Sequence, residues 1–166
     1  MSVLVANRRE SRLEAIIFAD EIHSMLRELM QRNFGVRDLD QLVRIRFAYG
    51  RDETEDFWRY RYLMHTHKQE IDRLATLLTN DLCASRNVFP TSIAEYEVKR
   101  GFQNSAIVRC HQILKELQKF ADTFDVDLNL YGRYVKAIDR EIELIKAWRQ
   151  RENKIKAIIL NKQGNV

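Results

Sequence analysis

Proline occurs once in this chain and glycine five times, so little in the sequence interrupts regular structure. Those two residues punctuate helices and strands alike, and their scarcity over 166 residues predicts long helices. Cysteine is nearly as scarce. Cys83 and Cys110 lack any C-x-x-C spacing, which excludes a cysteine-rich zinc module and leaves a disulfide between them as the lesser alternative. They read as reduced, partly buried thiols. Long apolar runs are missing too: none approaches the ~20 residues that a spanning helix needs. The first residues, MSVLVANRRESR, make a poor signal peptide, because the apolar stretch is short and the arginines follow it. The expectation is a cytoplasmic protein with no membrane partner.

What is present is charge and amphipathic periodicity. Charged residues make up 31% and apolar residues 45%, a balance that suits a folded helical domain. The first helix is expected over about 8–34, with Asn7 or Ser11 as cap and Ile16, Ile17, Ile22, Met25, Leu26, Leu29 and Met30 inward. Gly35 offers a left-handed stop. A short amphipathic helix over 38–47 follows, and Tyr49-Gly50 closes it.

The second long helix, 52–86, carries the stripe Phe57, Tyr60, Met64, His67, Ile71, Leu74, Leu78 and Leu82 at three- and four-residue steps. Pro90 ends it. Ser92 and Glu95 form a capping box for a third helix, 92–124, with Phe102, Ala106, Cys110, Ile113, Leu117, Phe120 and Phe124 inward. Gly101 could kink or fray its early part. Asp127 or Asn129 caps the fourth, 128–160, whose stripe includes Tyr131, Tyr134, Ile138, Ile142, Ile145, Trp148, Ile155 and Ile159. Four such segments with short connectors predict an all-α, up-down-up-down four-helix bundle in a single domain, with the short extra helix between helices one and two.

Catalytic chemistry finds little support. A di-metal bundle site needs paired Glu-x-x-His motifs, and the nearest match is Asp20-Glu21-Ile22-His23 alone. His65 and His67 point about 200° apart on a helix. His67, inside an apolar stripe, reads as a hydrogen-bonded core histidine. Cys110 and His111 are sequence neighbours and diverge likewise. No phosphate loop or nucleophile elbow occurs. The expectation is a protein that is not an enzyme, with no cofactor and no metal.

The charge distribution is the main functional signal. Between 145 and 166, Lys146, Arg149, Arg151, Lys154, Lys156 and Lys162 are opposed only by Glu152, a net of +5 where the whole chain carries +4. Lys146, Arg149, Asn153 and Lys156 step along one helix edge, which Arg151 and Lys154 widen. Arg8, Arg9 and Arg12 begin the first helix, so antiparallel packing would bring them near the end of the fourth. Arg44 and Arg46 add cations in the connector. Such a surface suits a polyanion, with arginine forks meeting phosphates and a steep salt dependence. The competing reading is a helical protein-interaction module without nucleic-acid binding, whose cations simply solvate helix faces and complement a helix C-terminus.

The stretches NRRESRLEAIIFADEIHSMLRELMQRNFGV and LYGRYVKAIDREIELIKAWRQRENKIKAIIL resemble the accessory variability determinant family of diversity-generating retroelements. That family is broadly related to four-helix proteins encoded in ribosomal RNA intervening sequences. The resemblance implies a homo-oligomer, pentameric in that family, that binds a reverse transcriptase and its template RNA or cDNA. Its role would be to support mutagenic cDNA synthesis without performing the chemistry. No residue role is carried by motif, so the candidate nucleic-acid-binding residues Lys146, Arg149, Arg151, Lys154, Lys156, Arg8, Arg9 and Arg12 rest on charge placement.

Overall fold

A computed structural model describes residues 3–36 and 53–163, with side chains over 14–36 and 58–161. Four long helices account for nearly all of it: α1 Val3–Gln31, α2 Glu53–Asn87, α3 Ile93–Phe124 and α4 Gly132–Gln163. Short 3-10 turns, Asn33–Gly35 and Leu128–Tyr131, follow α1 and precede α4. Each helix packs against its neighbour in sequence, and α4 closes the ring on α1. This is the expected up-down-up-down bundle. The predicted connector helix over 38–47, with Arg44 and Arg46, lies outside the described residues.

The helix ends follow from local chemistry. Ser92 Oγ accepts from the Glu95 amide at 3.2 Å, and the Glu95 carboxylate accepts from the Ser92 and Thr91 amides in return, completing the capping box. The Thr91 amide holds the Glu95 carboxyl below its ordinary range. Asp125 ends α3 in the left-handed conformation, φ 54°. Asp127, one of the two expected caps of the fourth helix, instead caps the 3-10 turn before it, accepting from the Asn129 amide at 2.9 Å, and α4 itself starts at Gly132. Gly101 leaves α3 continuous, so the kink held open by the sequence does not occur.

The stop after α1 is sharper than one glycine would give. Asn33, Phe34 and Gly35 all adopt positive φ, 49°, 55° and 85°. For Phe34 that conformation costs roughly 1–2 kcal/mol. Its ring offsets the cost by packing in the core, 4.1 Å from the Phe120 ring centroid. Its carbonyl also accepts from the buried Tyr131 hydroxyl at 3.0 Å, which ties the end of α1 to the start of α4.

The core follows the predicted stripes with three corrections. Ile17, expected inward, is 47% exposed. Ile16 and Ile22 turn in, and the step between them passes through Ala19. Ile155 is only half-buried, in the part of α4 beyond Trp148. Phe102 is also half-buried, because the inward seam of α3 runs through Tyr96, Lys99, Gln103 and Ala106 instead. That seam steps by three and four throughout, so helical geometry chose polar residues over a neighbouring aromatic.

The histidines are absorbed by packing. His67 Nδ1 donates to Glu116 at 2.7 Å, and its ring meets Phe120 and Phe124 edge-on. His23 Nε2 donates to Asp72 at 2.8 Å, and Arg27 donates to the same carboxylate at 3.0 Å. The His23 bond is the main reason that the Asp72 carboxyl is held below its ordinary range. Both cysteines are free thiols; Cys110 is buried, Cys83 is half-buried, and burial pushes the Cys110 thiol up.

Candidate interaction surface

Trp148 sets the orientation of the second half of α4. It is 1% exposed, and it directs Ile145 and Glu152 inward with it. Glu152 is the carboxylate that balanced the basic stretch in the sequence. It sits 2% exposed, 3.2 Å from Lys99 Nζ, and accepts from Gln103 Nε2 at 2.9 Å. Lys99 Nζ also donates to the Val88 carbonyl at 2.9 Å, linking the α2–α3 corner to α4. The counter-charge is therefore spent inside the bundle, and the outer face of α4 does not benefit from it.

The structure divides the predicted basic edge in two. On the side against α3, Lys156 Nζ lies 3.2 Å from Glu97 and over the Tyr96 ring at 5.7 Å. Asn153 Oδ1 accepts from the Tyr96 hydroxyl at 3.2 Å and from Arg100. Arg149 is half-buried, and burial, then the neighbouring Arg100, lowers its guanidinium. Lys146 pairs with Glu143 at 2.8 Å on its own helix. On the outer side, Arg151 and Lys154 are exposed and have no ion pair among the described residues. Of the five α4 candidates, Lys146 and Lys156 are paired; Arg151 and Lys154 are exposed and Arg149 is half-buried, with no ion pair among the described residues.

Arg8, Arg9 and Arg12 lie on the α1 backbone, and their side chains are outside the described residues. The Glu14–Arg140 pair, 3.5 Å apart, fixes the register of α1 against α4. Counting outward along antiparallel helices from that pair puts Arg8 and Arg9 about level with Lys146. The two basic segments thus share one half of the bundle at backbone level.

The outer face of α1 carries what the sequence missed. Ile17 is 47% exposed. Beside it stand Glu14 and Glu21 on the same helix, and Arg140 of α4 meets Glu14, all three exposed. Arg140 also covers the Phe18 ring at 4.6 Å. The signal was present as an isoleucine pair, Ile16-Ile17, of which one helical face can bury only one.

No group of three or more His, Cys, Asp or Glu among the described residues could hold a metal ion. No described helix is long and apolar enough to cross a membrane.

No family model matches this chain, and no solved structure matches it. Among curated proteins, the chain is similar to the mouse and human proteins named FYVE, RhoGEF and PH domain-containing protein 1. Identity is 32% over 120 residues, covering 58% of this chain. The matched stretch is 12% of the length of those relatives.

Proposed function

We propose that this chain is a helical protein-interaction module of the exchange-factor kind, which contacts a Rho-type GTPase and promotes release of its guanine nucleotide. The observation that carries the reading is the 32% identity over 120 residues to proteins whose name includes RhoGEF. Of the domains in that name, we assign the match to RhoGEF, because nucleotide exchange works by protein contact alone. A bundle of four long helices offers an extended rigid face for such contact. The outer face of α1 fits best. An exposed Ile17, with Glu14, Glu21 and Arg140 supplying charge of both signs beside it, suits another protein better than a phosphate backbone. The module would act in the cytoplasm, where such GTPases meet their regulators, and perform no covalent chemistry of its own.

The test is release of a fluorescent GDP analogue from a panel of Rho-type GTPases. Sub-stoichiometric chain should accelerate release on at least one of them, and Ile17→Asp should reduce the effect by ~10-fold, as loss of an interface anchor does. No acceleration and no binding across the panel would overturn the reading.

A second reading is the retroelement accessory subunit, binding reverse transcriptase and template RNA as a homo-oligomer. Support for it comes from Arg151 and Lys154, exposed without ion pairs among the described residues on the most basic segment of the chain. It requires RNA affinity that falls steeply with salt and a smaller salt slope in the Arg151→Gln/Lys154→Gln variant. An unchanged slope, or a monomeric mass in solution, removes it.

A further inference from the structure

One end of the bundle exposes large apolar side chains beside exposed cations. Phe89, in the α2–α3 turn just before Pro90, is 75% exposed. Ile158 and Leu160, in the last turns of α4, are 55% and 50% exposed. The Lys156–Glu97 pair and the Tyr96–Asn153 hydrogen bond align the last turns of α4 with the first turns of α3. That register puts Ile158 and Leu160 at the same end as Phe89.

The charge at this end is mostly positive among the described residues. Arg86, Arg151 and Lys154 are exposed and have no ion pair among the described residues. Of the exposed carboxylates nearby, Glu97 is paired with Lys156, and Glu95 is engaged by the Thr91 and Ser92 amides. Arg151, Lys154 and Ile158 follow one another at three- and four-residue steps, so cations and an aliphatic side chain lie on one face of α4.

We infer that this end of the bundle docks on an anionic phospholipid surface, with Phe89 and Ile158 entering the headgroup boundary and Arg86, Arg151 and Lys154 meeting lipid phosphates and carboxylates. Phe89 sits on a turn at the tip of the molecule, a placement suited to a deformable surface that needs no matching pocket. Exposed apolar residues bracketed by cations are the pattern of interfacial contact, in which apolar burial and surface charge act together. This is attachment and not a membrane span, and it stands apart from any exchange activity.

The test is co-sedimentation of the whole chain with vesicles of phosphatidylcholine alone and of mixed phosphatidylcholine and phosphatidylserine. Binding to the mixed vesicles and little to the neutral ones is expected. Phe89→Ser should weaken that binding by about tenfold or more. Arg151→Gln and Lys154→Gln should each weaken it by about fivefold. Both kinds of change fall on exposed residues, and unaltered far-UV circular dichroism verifies the fold. Failure to bind the anionic vesicles, as an acidic protein partner would give, overturns the inference. So does equal binding to both vesicle types. So does binding that depends on the cations and not on Phe89, the behaviour of a simple polyanion site.

Discussion

Glu141 is the residue least at ease in the core. It is fully buried on α4, and neither carboxyl oxygen has a hydrogen-bond partner among the described residues. Burial pushes its carboxyl up to about 8 from an ordinary 4.5, with Arg140 opposing and Glu14 adding to the shift. A folded-state value above the unfolded one means that the native protein holds the extra proton. Its contribution to stability is whole below about pH 4.5, shrinks as pH rises, and is lost by about pH 8. Glu141→Gln should flatten that pH dependence, and Glu141→Leu should raise stability near neutral pH by a few kcal/mol, on the order of the desolvation relieved. Urea titrations at several pH values within the window check both. Equal pH dependence in wild type and Glu141→Gln would mean that the side chain titrates normally.

Lys99 and Glu152 make the opposite case, two buried charges in contact. Removing one partner leaves the other unpaired in the core, so Lys99→Met should destabilise the chain by roughly 3–5 kcal/mol. Lys99→Met with Glu152→Leu should recover much of the loss. A double-mutant cycle by chemical denaturation measures it, and additive single effects would refute the coupling.

At the level of the element, α3 shows how local sequence fixes a boundary. Ser92 and Glu95 satisfy amides at the helix start that no intrahelical partner can reach. Ser92→Ala should cost about 1 kcal/mol of stability, read from the denaturation midpoint at unchanged slope. This boundary was legible because the box involves only adjacent residues. The end of α1 was legible in part. Gly35 marked the stop, but the left-handed run began at Asn33, because burying the Phe34 ring outweighs its backbone strain. The inward seam of α3 misled in a different way. Phe102 was expected inward, yet Lys99, outside the expected stripe, is the buried residue, because a facing Glu152 on another helix pairs with it.

Across the whole molecule, aromatic and polar contacts cross every helix junction. Phe34, Phe120 and Phe124 pack together where α1 and α3 end and α4 begins, while His67 bonds to Glu116 across α2 and α3. Such interlocking predicts one cooperative unfolding transition. The tryptophans offer a check, since Trp148 is 1% and Trp58 is 65% exposed. In a Trp58→Phe variant the remaining emission should be blue-shifted and resistant to iodide quenching. Its red shift in urea should coincide with loss of helical dichroism; separate midpoints would show that α4 leaves the bundle independently.

Helical periodicity and scarce proline and glycine determined four helices and their approximate limits from sequence alone; of the expected caps Ser92 holds, whereas Asn7 and Ser11 lie inside α1. These are properties of neighbours three or four residues apart, and a linear text records them. The excess of positive charge near the end of the chain was equally plain. Which of those cations face solvent unpaired was a tertiary matter, decided when Glu97 crossed from α3 to meet Lys156 and Glu152 turned inward to Lys99. Ion pairs and burial join residues some fifty positions apart, and only the packed helices bring them within reach of each other.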